Sequence, residues 1–202
     1  MSGLLDDIYS SLPDGSDASV ADRRAVDMAC GRGAATYGEI TPKASATLLR
    51  WLRMTSEDVF IDCGSGTGRL VLQAAIETDV RRSIGVEMSG FRHGVALQAR
   101  AALAHDARQA RAAERVELFE GDFRTLVPAD ASVLYAGSLC FPDVLMLALA
   151  RACLDAPNFR CLCTLKVLPE LSEAQFEQRG GLDLDMTWNA NNRLYIYGPK
   201  RS

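Results

Sequence analysis

Glycines and a carboxylate stand together where an apolar run of this sequence gives way to a turn. The segment DCGSGTG occupies residues 62–68. Glycines at Gly64, Gly66 and Gly68 would let a ligand approach the backbone closely, at the start of the helix that is expected to follow. Asp62 would place a negative charge at the mouth of the same turn. The spacing therefore indicates a binding site for a ligand that is compatible with a nearby acid.

Two classes of ligand compete for such a turn. A dinucleotide favours the spacing G-x-G-x-x-G, whereas this turn reads G-x-G-x-G and has Arg69 at the sixth position. The Asp62 carboxylate would repel a pyrophosphate, but S-adenosyl-L-methionine has no phosphate and carries an ammonium and a sulfonium. The sequence therefore favours S-adenosyl-L-methionine as the cofactor. Two alternatives remain. The turn could bind no ligand, or the protein could be a nicotinamide oxidoreductase.

Polar and aromatic residues follow two further predicted strands. Glu87 ends the second strand, where a carboxylate can accept hydrogen bonds from both ribose hydroxyls. After the third strand, Asp122 could accept from an adenine amino group and Phe123 could stack on the adenine ring. The carboxyl ends of parallel strands meet at one edge of a sheet, so an adenosine ligand is favoured. The alternatives are that Glu87 is a surface carboxylate and that Phe123 is an aromatic residue of the core.

A doubly wound α/β fold is predicted, because strands and helices alternate along the chain. Strands are predicted at residues 59–63, 83–86, 116–119, 132–136 and 159–165, and helices at residues 70–76, 91–113, 144–154 and 172–178. Residues 182–188 and 193–197 flank a polar, Asn-rich turn and predict a terminal hairpin. We therefore expect a seven-stranded, mostly parallel sheet with helices on both faces and a C-terminal antiparallel hairpin.

The first 35 residues predict a polar N-terminal segment with one short helix. Residues 1–17 are rich in Ser and Asp, which predicts loose order. Ser19 can cap a helix that Gly31 would end. The main domain is expected to cover residues 36–202.

Composition narrows the classes of partner. The 202-residue chain has a formal net charge of −4 and a pI near 5.3, which argues against strong nucleic-acid binding by this chain alone and permits attraction to basic proteins. Its six cysteines form no C-x-x-C pair, so buried free thiols are expected and no metal site is predicted. The free thiols suggest a reducing intracellular compartment, no apolar run is long enough for a membrane span, and the N-terminus shows no secretory signal, so an intracellular location is expected.

The motifs taken together resemble the disruptor-of-telomeric-silencing family, the histone lysine methyltransferases without a SET domain. The resemblance runs from about Tyr37 to Phe141 and rests on Tyr37-Gly38-Glu39, Asp58-Val59-Phe60-Ile61-Asp62, the glycine turn, Gly85-Val86-Glu87 and Gly121-Asp122-Phe123. It implies a Rossmann-like class I methyltransferase fold. It also implies a loop with Tyr37 and Glu39 that closes over the methionine part of the cofactor. The implied cofactor contacts are Asp62, Gly64, Glu87, Asp122 and Phe123.

The acceptor side of the site shows one departure from the family. Its Asn-Asn-Phe stretch after the fourth strand is replaced by Gly137-Ser138-Leu139, so that Gly137 stands where the family has the first Asn. The resemblance implies that Phe141 and Tyr195 line a lysine channel, whose apolar wall would favour the neutral, attacking amine. We therefore take Tyr195, Phe141 and Ser138 as the catalytic candidates.

The resemblance implies an S-adenosyl-L-methionine-dependent protein lysine N-methyltransferase. The expected acceptor is a basic protein or peptide such as a histone, with no membrane partner. A nuclear location follows if the acceptor is a histone, and a cytoplasmic one otherwise. A small-molecule methyltransferase and a cofactor-binding protein without turnover remain as alternatives.

Overall fold

The computed structural model describes residues 2–169 and 175–200. Its strands, numbered in chain order, are β1 (Val59–Cys63), β2 (Arg82–Glu87), β3 (Val116–Glu120), β4 (Val133–Ala136), β5 (Cys161–Thr164), β6 (Phe176–Met186) and β7 (Asn189–Pro199). The helices are α1 (Ser2–Ser10), α2 (Val20–Cys30), α3 (Pro42–Leu52), α4 (Arg69–Glu77), α5 (Gly90–His105), α6 (Ala110–Glu114), α7 (Phe123–Leu126) and α8 (Asp143–Asp155). Short 3-10 turns lie at Gly15–Asp17 and Ser138–Cys140.

One seven-stranded sheet has the order β3-β2-β1-β4-β5-β7-β6. Neighbours among the first five strands of this order pair in parallel, and β7 pairs antiparallel with both β5 and β6. Strand order reverses direction between β1 and β4, and in open α/β sheets a crevice forms at the carboxyl ends beside such a reversal. The predicted mostly parallel sheet with an antiparallel C-terminal hairpin is confirmed.

Helices cover both faces of this sheet, because its central strands are apolar on both sides. In β1, Ile61 is fully buried on the face that packs against α8. The neighbouring Phe60 is fully buried on the opposite face, where it packs with Leu48 and Leu52 of α3. Alternate side chains of a strand point to opposite faces, so burial of all five β1 residues requires a layer on each side.

Two predicted elements at the start and middle of the chain were wrong. Residues 1–17 contain α1 rather than a loosely ordered segment, because Leu5 and Ile8 lie on one helical face and are buried against other helices. The single helix predicted at residues 91–113 is divided into α5 and α6. Asp106 ends α5, and its carboxylate accepts a hydrogen bond at 2.9 Å from the backbone N–H of Arg108.

Two predictions near the C-terminus also need correction. Part of the helix predicted at residues 172–178 lies outside the described residues, and residues 176–178 belong to strand β6. The hairpin turn is at Thr187 and Trp188 rather than in the Asn-rich stretch, whose residues start β7. Each hairpin strand is therefore longer than predicted.

The structure can be compared with the expectations for the cysteines and for a membrane span. Five of the six cysteines are buried free thiols, but Cys140 is exposed. Within residues 2–169 and 175–200, no helix has both the length and the apolar character needed to cross a membrane.

Candidate functional site

A cavity that is partly open to solvent lies at the carboxyl ends of β1, β2, β3 and β4. Nine of the predicted site residues line it: Tyr37, Glu39, Asp62, Gly64, Gly66, Glu87, Asp122, Phe123 and Phe141. The parallel register explains this convergence, because Asp62 is paired with Gly85 of β2 and with Tyr135 of β4. Glu87 is paired in turn with Glu120 at the end of β3.

The glycine turn is held against the end of β2 by its own backbone. The N–H groups of Gly64 and Ser65 both donate to the Val86 carbonyl, at 2.8 and 3.1 Å. Gly64 has φ +86°, and a Cβ there would lie 3.2 Å from the Phe141 ring. The left-handed backbone therefore favours glycine at this position, and a Cβ would also be in tight contact with the ring. The turn leads directly into α4, whose N-terminal end faces the cavity.

Asp62 carries a buried carboxyl group with an unpartnered oxygen. Only 4% of the residue is exposed, and its Oδ1 accepts no hydrogen bond from the described residues. Burial, together with the negative charges of Glu87 and Glu39, raises the pKa of Asp62 well above its ordinary value. This oxygen lacks a donor, and either a hydrogen bond or a nearby cation would lower the pKa of Asp62 again.

Glu87 is also buried, but backbone donors surround it. Its two carboxylate oxygens accept from the N–H groups of Gly66, at 2.7 Å, and Ser89, at 2.8 Å. Burial raises the pKa of Glu87, and these two hydrogen bonds partly offset the rise. The carboxylate joins the glycine turn to the start of α5 while one side of it faces the cavity.

The loop with Tyr37 and Glu39 covers the glycine turn. The Tyr37 hydroxyl and the Thr67 hydroxyl both donate to Oε1 of Glu39, the latter at 2.6 Å. The tip of the β6–β7 hairpin holds the loop from outside: the Glu39 N–H donates to the Thr187 hydroxyl at 3.0 Å, and the Thr187 N–H donates to the Glu39 carbonyl at 2.8 Å. Two distant parts of the chain therefore meet at this loop.

Two aromatic rings and one further carboxylate also line the cavity. Phe123 and Phe141 are stacked with centroids 6.0 Å apart and ring planes within 9°. The Asp122 carboxylate accepts from Nε of Arg124 at 2.8 Å. Although burial raises the pKa of Asp122, the hydrogen bonds from Arg124 lower it below its ordinary value, so the carboxylate is ionised at neutral pH.

Three predicted site residues lie outside the cavity lining. Gly68 caps the N-terminus of α4. Ser138 is fully buried, and its hydroxyl accepts from the Leu165 N–H at 3.1 Å. Tyr195 lies on β7 between Thr164 and Gly181 and packs half-buried against the core. Their roles in binding and catalysis stay predictions.

Residues that the sequence analysis missed complete the lining. They include Val26, Cys30, Thr36, Ile40, Ser65, Arg69, Met88, Arg92, Tyr135 and Leu145. Tyr135 could have been found as the neighbour of Asp62 once β1 and β4 were aligned. No sequence signal indicated Arg92, whose role depends on tertiary contacts. Within the described ranges, no group of three or more His, Cys, Asp or Glu side chains is placed to hold a metal ion.

Solved structures of methyltransferases share this fold. An RNA methyltransferase from Salinibacter ruber in complex with S-adenosyl-L-homocysteine aligns with a TM-score of 0.54 and 19% identity, covering 80% of this chain and 95% of that one. The 23S rRNA methyltransferase ErmE aligns with a TM-score of 0.58 and 14% identity, covering 82% and 71%. The chain therefore has the Rossmann-like fold of class I methyltransferases.

The sequence itself assigns the family. The model of the family described as histone methylation protein DOT1 matches residues 31–158, more than half of the chain. The chain belongs to this DOT1 family. The family resemblance noted from the motifs is thereby confirmed.

The curated relatives are named as histone-lysine methyltransferases. The chain is 28% identical over 118 residues to a "Histone-lysine N-methyltransferase, H3 lysine-79 specific" of Caenorhabditis elegans, covering 55% of this chain and 12% of that protein. It is 31% identical over 137 residues to the protein of that name in Cryptococcus neoformans var. neoformans, covering 64% and 21%. The chain thus spans only a small part of each relative's length.

Proposed function

We propose that this chain is an S-adenosyl-L-methionine-dependent methyltransferase that transfers a methyl group to a lysine of a basic, histone-like protein. The observation that carries the proposal is the unpartnered carboxylate oxygen of Asp62 in a cavity that lies almost wholly within the family-matched stretch. A buried acid of this kind is suited to a cationic ligand and opposes a pyrophosphate.

The residues of the cavity fit the parts of the cofactor. Asp62 would take the ammonium of the methionine part, and Glu87 would accept from the ribose hydroxyls on its cavity side. Phe123 would contribute an aromatic face and Asp122 an acceptor for adenine. Tyr37 and Glu39 would cover the methionine part, as the family resemblance implies. When bound, the cofactor supplies an activated methyl carbon; the protein aligns donor and acceptor and excludes water.

The acceptor assignment rests on the relatives and on charge. The curated relatives are named for lysine 79 of histone H3, and this chain is net acidic, which favours a basic acceptor. Phe141 would provide an apolar wall that favours the neutral lysine amine. A histone acceptor would place the protein in the nucleus.

One observation favours a second function, cofactor binding without turnover. Gly137 lies at the cavity, and a Cβ built there would have no neighbour within 4 Å. The side chain that the family carries at this position is therefore missing and is not replaced by a neighbouring group. If that side chain is essential for transfer, the chain would bind the cofactor and transfer nothing.

Labelled-methyl transfer from S-adenosyl-L-methionine to a whole-cell extract tests the proposal. The extract is separated after incubation into protein, nucleic-acid and small-molecule fractions, and the acceptor atom is identified by mass spectrometry. We expect the label on lysine Nζ atoms of basic proteins. Label confined to small molecules or nucleic acid would contradict the lysine assignment. Firm S-adenosyl-L-homocysteine binding without any transfer would favour the second function.

A further inference from the structure

The N-terminal segment, residues 2–30, forms part of the cavity although it precedes the family-matched stretch, residues 31–158. Val26 and Cys30 of α2 line the cavity directly. The Tyr9 hydroxyl of α1 donates to the Thr67 carbonyl of the glycine turn at 2.8 Å. The segment therefore contacts the cofactor site at two separate places.

Gly15 lies directly against the Tyr37 ring. A Cβ added at Gly15 would lie 2.1 Å from Cζ and 2.3 Å from the hydroxyl oxygen of Tyr37. Gly15 does not have the positive φ that excludes other residues, so the requirement for glycine comes from the ring alone. Relief of that overlap would move Tyr37 away from its hydrogen bond to Glu39.

Arg92 contacts the same ring. Its guanidinium lies 4.6 Å from the Tyr37 ring centroid. It also donates to the Gly15 carbonyl at 3.1 Å and to the Ala35 carbonyl at 2.9 Å. The Arg92 residue is only 4% exposed, so these bonds are made in a largely desolvated environment. One buried cation thus joins the N-terminal segment to the start of the Tyr37 loop.

We propose that Gly15 and Arg92 are positioning residues that hold Tyr37 against Glu39, so that the N-terminal segment sets the shape of the cofactor site. This inference rests on the proposed function for the identity of the cofactor. Gly15 acts through Tyr37 alone, whereas Arg92 holds Tyr37 and also lines the cavity. Tyr37 connects them to Glu39, which also receives the hydroxyl of Thr67 from the glycine turn.

Titration calorimetry with S-adenosyl-L-homocysteine on the full chain tests the proposal. Gly15→Ala should weaken binding about tenfold, the effect of losing roughly one hydrogen bond to a charged group. The matched control is Gly3→Ala, because a Cβ at Gly3 would meet nothing within 4 Å. The control should bind as the unaltered chain does, and urea unfolding should show that both variants are folded.

Combining Gly15→Ala with Tyr37→Ala shows whether Gly15 acts by positioning the Tyr37 ring or by a general effect on the fold. Once the ring is absent, Gly15→Ala should cost no further affinity. If Gly15→Ala does not fold, Arg92→Lys carries the same test, because it keeps the charge but loses the planar fork that stacks on the ring. Unchanged affinity in Gly15→Ala, or equal losses with and without the Tyr37 ring, would overturn the inference. Failure of the unaltered chain to bind would instead refute the proposed function.

Discussion

Asp62 is the residue on which the account of the cofactor site depends. Burial and the charges of Glu87 and Glu39 raise the pKa of Asp62 above its ordinary 3.8, so the folded protein keeps a proton that the unfolded chain loses. The contribution of Asp62 to stability is therefore full below pH 3.8 and is lost as the pH rises towards the raised pKa. A bound ammonium would lower that pKa, so cofactor binding should release a proton at a pH between the lowered and the raised pKa.

Asp62→Asn tests this charge directly. The variant should bind S-adenosyl-L-homocysteine more weakly, because the ammonium loses its partner. Without ligand it should unfold at the same or a higher urea concentration at neutral pH, because a buried acid has been removed. Calorimetry in buffers of different ionisation enthalpy should show proton release in the unaltered chain and less in the variant. Weaker binding with a large loss of stability would mean that Asp62 serves the fold instead.

Glu87 offers a test of the ribose assignment. Glu87→Gln should lower the affinity for S-adenosyl-L-homocysteine by about 1.5–3 kcal/mol, the contribution of a hydrogen bond to a charged group. The matched control is Glu120→Gln, which makes the same change at the exposed residue paired with Glu87 at the neighbouring strand end. Equal affinities of the two folded variants, measured by calorimetry, would show that the Glu87 carboxylate does not bind ribose.

The site residues that were predicted from the strand pattern itself have one property in common. Asp62, Glu87 and Phe123 stand at strand ends, and parallel strand ends converge whatever the details of packing. Arg92 could not be predicted, since its partners Gly15 and Ala35 are far away in the sequence and become neighbours only after folding. The sequence therefore predicted those site residues that the strand topology alone brings together, and it did not predict residues that depend on other tertiary contacts.

At the scale of elements, the β6–β7 hairpin connects the end of the chain to the loop over the cavity. Tyr195 belongs to this hairpin, and its predicted role in the lysine channel can be tested by kinetics. If Tyr195 lines the acceptor path, Tyr195→Ala should lower kcat more than it lowers cofactor affinity, and Tyr195→Phe should retain most of the activity. Parallel losses of kcat, cofactor affinity and urea stability in Tyr195→Ala would support core packing alone.

Helices and strands could be predicted from the sequence where a clear pattern of apolar residues showed which of them are buried. Strand β1 was predicted at its exact bounds because five consecutive residues are buried between two layers. Helix α1 was missed because acidic and Ser-rich composition obscured two apolar residues at helical spacing. The break between α5 and α6 was missed because Ala and Arg favour a helix on both sides of Asp106, whose side chain instead forms a turn with Arg108.

At the scale of the whole molecule, net charge restricts the acceptor. The chain has a formal net charge of −4, and nucleic-acid binding depends on many basic contacts to phosphate. The chain should therefore attract a free basic protein and be repelled by one that is wrapped in DNA. We accordingly expect this chain alone to engage intact nucleosomes only weakly, and to act faster on histones that carry no DNA.

The most direct test of lysine methylation is the initial rate of labelled-methyl transfer to free core histones and to nucleosomes, at two salt concentrations, with the modified atom identified by mass spectrometry. The account predicts methylated lysine Nζ on the free histones and a lower rate on nucleosomes. Raised salt should reduce the rate on free histones, because it screens the attraction. Absence of lysine methylation on either substrate, by a chain that binds S-adenosyl-L-homocysteine, would contradict the central claim.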